Sequence, residues 1–217
     1  SVQNIFVPRD GIETNEGYAS FDQVCNRLVS AVDQLLESPK QAAYLCGTLV
    51  DGKIYKAIDE IATANSGSVI RESGSYKHPE YRNARTATPL VLKVDAEERL
   101  LYGQEHFGPI SFVIASDNAD HALQRATQDV REHGAITSHV YSTDNSFIER
   151  AENAYHAAGA SLACNLVGMP INFAAAYSDF HVTGLNPAGN ACLADLAFVT
   201  SRFRIVQTKF PAGNQVA

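Results

Sequence analysis

The sequence predicts an α/β fold in which a mainly parallel sheet carries helices on both faces. Two observations lead to this prediction. Nearly continuous apolar runs at 90–94 and 110–114 are typical of strands that are buried on both faces. Helical patterns alternate with strands over short connections, an order that implies right-handed crossovers between parallel strands. We expect residues 1–217 to form a single α/β domain with a loose tail at 211–217.

The first half of the chain contains patterns for strands and for two helices. In chain order they predict a strand at 4–7, a turn-rich segment at 8–15, a long amphipathic helix at 18–36, a second helix at 53–64, and a loop at 65–88 with a short strand near Val69. Ser38 and Pro39 should end the long helix, because proline cannot continue a helix that precedes it.

The second half alternates strands and helices more regularly. Its patterns predict strands at 90–94 and 110–114, a helix with Ala122, Leu123, Ala126 and Val130 on one face, a strand at 135–141, a helix with Phe147, Ile148, Ala151, Ala154 and Tyr155 on one face, a strand at 161–167 and a terminal strand at 203–206. Asp117 is placed to cap the first helix, and Ser146 with Glu149 has capping-box spacing before the second. Gly134 and Gly159 should end these helices.

Composition restricts the classes of function. With 17 Lys+Arg against 24 Asp+Glu the formal net charge is −7, which argues against general binding to a nucleic-acid backbone. No apolar run approaches the ~20 residues of a membrane helix, so we expect no membrane partner. The four cysteines lack CxxC spacing and no signal sequence is visible, which suggests a cytoplasmic protein. The chain opens inside a strand and without Met, so we expect it to be part of a longer protein.

Common nucleotide, metal and hydrolase motifs are missing. No GxGxxG follows a predicted strand, and Gly184 to Gly189 has P-loop glycine spacing without the following Lys-Ser/Thr. The seven histidines are scattered, so no metal site is expected. Ser178, Asp179 and His181 are close neighbours in sequence, whereas a catalytic triad brings its groups from separate elements, so a turn or cap role is the more frequent one.

The segment from Glu105 to Pro109 comes directly before the strand at 110–114. Ligands in open α/β sheets gather at strand ends, and a carboxylate there can accept two hydrogen bonds from a ribose diol. Phe107 offers a flat apolar wall for a ring. On spacing alone, an exposed glutamate followed by an ordinary Gly-Pro turn is the more frequent interpretation.

Several short motifs stand in the order in which one enzyme family carries them. Along the chain they are Gln3-Asn4-Ile5-Phe6-Val7-Pro8, Gly47-Thr48-Leu49-Val50-Asp51, Glu105-His106-Phe107-Gly108-Pro109 and the run from Ala157 to Asn165. Together they resemble the later part of an aldehyde dehydrogenase catalytic domain, over nearly the whole chain. The stretch from Tyr177 to Ala188 is similar to the variant found in phenylacetate-degradation aldehyde dehydrogenases.

The resemblance implies oxidation of a small-molecule aldehyde to an acid with NAD or NADP. In this family a thiolate attacks the carbonyl, hydride passes to nicotinamide, and the thioester is hydrolysed. Glu105 would bind the nicotinamide ribose, Phe107 would lie beside the ring, and Asn165 would help to shape the floor of the substrate tunnel. The subgroup suggests a semialdehyde of aerobic phenylacetate breakdown, with or without attached coenzyme A, and the family suggests a homo-oligomer.

The chain also departs from the family pattern. The nucleophilic cysteine would fall two positions before Ser1, so we expect no catalytic residue in this chain and no activity from the chain alone. Ile54 stands where many members carry a glutamine near the cofactor, and residues 173–175 replace a common Phe-Gly-Gly segment. The chain's own cysteines are not placed to act as the nucleophile: Cys25, Cys46, Cys164 and Cys192.

Two alternatives stay open. An acyl-CoA-forming reductase of the same superfamily shares this scaffold, and the cofactor-binding half of the protein would discriminate it. The chain could instead be a non-catalytic binding or assembly module on an inherited fold, which the absent nucleophile favours.

Overall fold

The computed structural model describes residues 2–135, 137–167 and 208–211. The chain divides into two compact units, Ser1–Ala122 and Leu123–Ala217. The single domain expected over 1–217 stays a prediction, as does the loose tail at 211–217, of which only Pro211 is described.

The first unit contains most of the elements. They are β1 (Asn4–Pro8), β2 (Ile12–Thr14), β3 (Gly17–Ala19), α1 (Phe21–Leu35), α2 (Pro39–Cys46), α3 (Lys53–Ala64), a 3-10 turn at Ser66–Ser68, β4 (Val69–Arg71), β5 (Leu90–Asp95), α4 (Arg99–Tyr102) and β6 (Ile110–Ser116). The chain then enters α5 (Ala119–His133), which leads into the second unit. The described elements that follow are β7 (Thr137–Val140), α6 (Asn145–Ala158), β8 (Ser161–Cys164) and β9 (Thr208–Lys209).

A four-stranded sheet, in the order β1-β6-β5-β4, is the framework of the first unit. β1 and β5 run parallel to β6, and β4 is antiparallel to β5. Because side chains alternate along a strand, the two faces of the sheet have separate cores. One core joins Leu90, Leu92, Phe112 and Ile114 to Ile58 of α3. The other joins Val7, Val91 and Val113 to Cys25 of α1.

A parallel sheet in the order β7-β8-β9 is the framework of the second unit. The predicted inner face of α6 is confirmed, since Ile148, Ala151 and Tyr155 share a core with Leu162. The predicted fold class, α/β with mainly parallel strands and helices on both faces, is therefore confirmed. The described strands pair in three sheets, which are β1-β6-β5-β4, the hairpin β2-β3 and β7-β8-β9. The parallel pairs are those of β6 with β1 and β5 and those of β8 with β7 and β9. Alternation of strands and helices specifies parallel crossovers but not which strands become neighbours.

Local assignments differ from the sequence prediction mainly at turns. The turn-rich segment at 8–15 contains β2, which pairs with β3 as a hairpin, so Tyr18 belongs to a strand rather than to the long helix. Ser38 and Pro39 begin α2 instead of only ending α1. The Ser38 hydroxyl accepts a hydrogen bond from the Gln41 amide at 3.1 Å, and proline at the first helical position has no N–H to leave unpaired.

Two helices are capped by other residues than the sequence predicts. Asn118 rather than Asp117 caps α5, because its Oδ1 accepts from the His121 amide at 2.8 Å. Asp144 caps α6 in place of the expected Ser146–Glu149 box, since its carboxylate accepts from the Ser146 amide at 2.8 Å. Both capping residues lie directly before the first residue of their helix. The sequence pattern alone does not show which of several neighbouring polar residues takes that position.

The predicted helix ends are confirmed at Gly134 and Gly159, whose φ angles are +79° and +83°. The terminal strand expected at 203–206 lies outside the described residues. The short strand β9, further along the chain at Thr208–Lys209, is described and pairs with β8. No helix in the described ranges is both long enough and apolar enough to cross a membrane.

Candidate functional site

A cleft of about 450 Å³ lies in the first unit, between the head of α3 and the segment at 103–109. The residues that line it come from two stretches of the chain: Asp51, Lys53, Ile54, Ala57, Glu105, His106, Phe107 and Ile110. Glu105 and Phe107, chosen from the sequence, therefore share one cleft with Ile54, the position at which the chain departs from the family pattern.

One wall of the cleft is the first turn of α3. The Asp51 carboxylate accepts a hydrogen bond from the Lys53 amide at 2.9 Å, and the Asp51 carbonyl accepts from the Ile54 amide at 3.2 Å. These two bonds fix the start of the helix. Ile54 and Ala57 then present an apolar surface to the cleft, and Ile54 packs against the core beneath it.

The opposite wall, the segment at 103–109, is held in place by hydrogen bonds and a ring contact of Tyr102 and His106. Tyr102 is fully buried and donates its hydroxyl hydrogen bond to the Ala96 carbonyl at 2.5 Å. The His106 ring lies 5.4 Å from the Phe112 ring, and its Nε2 is 2.7 Å from the Leu101 carbonyl. Because a carbonyl only accepts, His106 carries its hydrogen on Nε2 in this arrangement.

Glu105 and Phe107, on either side of His106, are consequently turned outward. Phe107 is 72% exposed, an unusual position for a phenylalanine, and Glu105 is exposed beside it. Among the described residues the Glu105 carboxylate has no hydrogen bond or ion pair within the protein. Both of its oxygens are free to accept hydrogen bonds from a ligand.

Gly108 lets the segment approach α3 closely. Its φ is +132°, and a Cβ added there would lie 2.8 Å from Ile54 Cγ2. Only glycine adopts such a conformation at this distance without strain. The absence of a side chain at Gly108 therefore lets the segment pack directly against Ile54, a residue that lines the cleft.

The position of the cleft in the sheet differs from the sequence argument. It lies beside Ile110, at the amino end of β6. Ligands in open α/β sheets usually bind outside the carboxyl ends of the strands. The general rule about strand ends therefore does not apply to this edge of the sheet, and the roles of Glu105 and Phe107 stay predictions.

Asn165 occupies a different setting, in the second unit directly after β8. Its φ is +51°, and its side-chain amide makes two hydrogen bonds to the backbone of Ser142, from Nδ2 to the carbonyl at 2.8 Å and from the Ser142 amide to Oδ1 at 2.9 Å. Its own amide donates to the Val140 carbonyl at 2.8 Å. Asn165 therefore ties the end of β8 to the segment after β7, a structural task that the sequence prediction did not include.

The described thiols are poor candidates for a nucleophile. Burial raises the pKa of Cys25 and of Cys46, and it raises the pKa of Cys164 to about 11. A raised pKa disfavours the thiolate that attacks carbonyls. The fourth cysteine and the other candidates set aside in the sequence lie outside the described residues: Cys192, Ser178, Asp179, His181 and Gly184 to Gly189.

No group of three or more His, Cys, Asp or Glu side chains in the described part of the chain is placed to hold a metal ion.

Comparisons with known proteins identify the family of the chain. The model of the "Aldehyde dehydrogenase family" matches residues 18–173, which include both walls of the cleft. The chain belongs to the aldehyde dehydrogenase family. It is similar to a solved structure of an NAD-dependent aldehyde dehydrogenase from Burkholderia multivorans, with 45% identity and a TM-score of 0.77 over 93% of this chain. No curated protein matches the chain.

This chain spans 36% of the length of the Burkholderia multivorans aldehyde dehydrogenase. A more distant solved structure is the NADP-dependent glyceraldehyde-3-phosphate dehydrogenase from Bacillus halodurans C-125 complexed with NADP. Its identity is 17% and its TM-score 0.49, over 77% of this chain and 32% of that one. The family membership thus rests on the family model and on the Burkholderia multivorans structure.

Proposed function

We propose that this chain is part of an NAD(P)-dependent aldehyde dehydrogenase, which oxidises an aldehyde to the acid. The observation that carries the proposal is the cleft between α3 and the segment at 103–109. It lies within the region that the family model matches, and an unpaired carboxylate and an exposed ring stand at its edge. In this proposal the nucleophile and the rest of the cofactor site lie elsewhere in the protein.

In this proposal Glu105 binds the nicotinamide ribose. Its unpaired carboxylate oxygens suit the two hydroxyls of a ribose diol, and a charged acceptor makes such hydrogen bonds stronger than a neutral one does. The partly buried His106 ring is bonded to the Leu101 carbonyl and so supports the backbone on which Glu105 stands. Among the described residues the Glu105 carboxylate has no salt bridge that a ligand would have to displace.

The apolar surfaces suit a nicotinamide ring. Phe107 supplies an exposed aromatic face, and Ile54 with Ala57 supplies an aliphatic wall opposite to it. When bound, the nicotinamide accepts hydride from the substrate. The chain's own contribution is to orient the ring and ribose and to exclude water from their apolar side. With isoleucine at 54, this wall offers packing where a glutamine would offer a hydrogen bond.

The finer assignment of substrate follows the sequence resemblance. We propose a semialdehyde of aerobic phenylacetate degradation, on the strength of the stretch from Tyr177 to Ala188, which lies outside the described residues. Asn165 belongs to the floor of the substrate pocket in this proposal, and the two backbone bonds to Ser142 would hold its amide in place. The assembled enzyme is a homo-oligomer in the same proposal.

The test is an assay of the protein encoded by the whole reading frame. With a semialdehyde or phenylacetaldehyde and NAD or NADP, we expect reduced cofactor and free acid to form in equal amounts. The 217-residue chain alone should form neither, because covalent catalysis requires an activated thiolate. A thioester product that appears only with coenzyme A would indicate the acyl-CoA-forming reductase instead. A whole protein that binds no nucleotide and turns over no aldehyde would contradict the proposal and favour a non-catalytic module.

The Glu105→Gln variant tests the assigned role. The amide keeps the size of the side chain and loses its charge, so we expect binding of the ribose to weaken by ~1.5–3 kcal/mol with little change in melting temperature. Glu98, which is bonded to the Asp95 amide within the first unit, offers a control at a second glutamate. If Glu105→Gln and Glu98→Gln have the same kinetics as the unchanged enzyme, Glu105 is an ordinary surface residue.

A further inference from the structure

Gln3 makes contacts that its sequence context does not suggest. Its Nε2 donates to the Gln104 carbonyl at 2.8 Å and to the Tyr102 carbonyl at 3.2 Å, and its Oε1 accepts from the His106 amide at 3.0 Å. The Gln104 carbonyl and the His106 amide are the backbone groups on the two sides of Glu105. One side-chain amide therefore holds both peptide groups that flank the proposed ribose-binding residue.

The geometry repeats the pattern of a strand pair. A primary amide offers one carbonyl and one N–H side by side, as a neighbouring strand would, and so it pairs with the backbone at 104–106 without a ladder. Gln3 is itself fixed, because its carbonyl accepts a hydrogen bond from the Phe112 amide at 2.7 Å in the adjacent strand β6. The neighbouring Asn4 adds a bond from its Nδ2 to the Tyr102 carbonyl at 3.1 Å. The position of Glu105 is thereby tied to the start of β1.

The other supports of the segment act at different points. His106 Nε2 bonds back to Leu101, and Gly108 packs on α3, but neither holds the peptide groups on both sides of Glu105. Glu105 is exposed and has no partner of its own among the described residues, so its direction depends on the backbone that carries it. An exposed loop without such a clamp would sample several directions for the carboxylate.

We infer that Gln3 is a positioning residue for the cofactor, which orients the Glu105 carboxylate toward the ribose diol by clamping the backbone at 104 and 106. The inference rests on the proposed function of Glu105. According to this inference, both the donor and the acceptor of the Gln3 amide are required to orient Glu105. A side chain of equal size without these two atoms does not orient it.

The structural part of the test uses the 217-residue chain. In Gln3→Met, which keeps the length and removes both hydrogen-bonding atoms, we expect amide hydrogen exchange of His106 to be about tenfold faster, because its acceptor is lost. Gln34→Met is the matched control, since Gln34 is exposed near the end of α1. Equal exchange of His106 in the two variants would overturn the clamp, whatever the chain binds.

A pH dependence separates hydrogen bonding from packing. In Gln3→Glu the ionised carboxylate can accept from the His106 amide but faces the carbonyls of Tyr102 and Gln104, which have no hydrogen to give. A protonated carboxyl has one donor and one acceptor, as the amide does. We expect protection of His106 to recover as the pH falls toward the ordinary glutamate pKa of about 4.3. A Gln3→Glu profile parallel to that of the unchanged chain would count against the inference.

The functional part uses the protein encoded by the whole reading frame, because the proposal puts the rest of the cofactor site outside this chain. It is titrated with nicotinamide mononucleotide, which contains the ribose and the ring, while the amide resonances of Glu105 and Phe107 are followed. We expect Gln3→Met to weaken binding about fivefold to tenfold, and Gln34→Met to leave it unchanged. If Glu105→Gln weakens binding and Gln3→Met does not, the inference is wrong while the proposed function stands. If the unchanged whole protein shows no binding, the proposed cofactor role fails and the positioning role fails with it, whereas the exchange rates in the 217-residue chain still report whether the clamp exists.

Discussion

Replacement of Gly108 by alanine should show how closely the segment at 103–109 is fitted to α3. The added Cβ would lie 2.8 Å from Ile54 Cγ2, well inside van der Waals contact. The φ angle of Gly108 is +132°, a backbone conformation that residues other than glycine rarely adopt. The substitution therefore combines a steric clash with backbone strain, and the two costs can be measured separately.

The magnitude follows from these two contributions. Overpacking by one methyl group costs about 1–3 kcal/mol where the neighbours are fixed, and a residue held in a sparsely populated backbone conformation costs about 1–3 kcal/mol. Because the segment is exposed on one side, part of the clash will be relieved by movement of the backbone. We expect Gly108→Ala to lower the free energy of unfolding by about 2–3 kcal/mol, and to weaken binding of nicotinamide mononucleotide as the cleft changes width.

Two further variants separate the contributions. Gly17 has a φ of +101° and no atom within 4 Å of an added Cβ, so Gly17→Ala measures backbone strain alone. Ile54→Ala removes the atom that the new methyl group would strike. In the Ile54→Ala background, the cost of Gly108→Ala should fall by about 1–2 kcal/mol, to a value near that of Gly17→Ala.

Urea unfolding followed by circular dichroism measures each free energy, with a constant m-value as the check on two-state behaviour. The reasoning is refuted if Gly108→Ala costs no more than Gly17→Ala, or if its cost is the same with and without the Ile54 side chain.

The remaining predictions concern pH and association. Burial raises the pKa of Tyr155 to about 12 from its ordinary value of 10, so the folded state holds this proton more tightly than the unfolded state does. The stability that this provides is present below pH 10 and is lost as the pH rises to about 12, and Tyr155→Phe should show a shallower alkaline loss in thermal melts. Equal alkaline slopes would contradict this. In the described part of the second sheet β9 is an edge strand, and an edge recruits other strands, so we expect the chain to form an isologous dimer. Light scattering across a dilution series, with and without truncation after Ala197, measures this, and a strict monomer at high concentration would exclude it.

The sequence predicts correctly those features of the structure that depend on residues close together in the chain. The helix predicted at 53–64 is observed as Lys53–Ala64, and the apolar runs at 90–94 and 110–114 are observed as Leu90–Asp95 and Ile110–Ser116. Hydrophobic periodicity is a local property of the chain, and these segments repeat it without interruption. The predictions of turns and helix caps were wrong more often, because several polar residues near the start of each helix compete for the same backbone groups.

The residues of the candidate site also differ in whether the nearby sequence reveals them. Glu105 and Phe107 were found through a local motif together with its resemblance to a family. Gln3 was not, because nothing near it in the sequence marks a residue whose amide binds the backbone at 104 and 106.

The sequence by itself determined the α/β class, the segments buried on both faces and the motif that carries Glu105, since each depends on residues a few positions apart. Only the tertiary structure decided the division of the parallel strands between two sheets, the place of the cleft at the amino end of β6 and the clamp formed by Gln3. These features depend on the register in which β1 and β6 lie side by side, Asn4 opposite Phe112, which brings together residues about a hundred positions apart. Such a register is set by packing of the whole sheet between its helices.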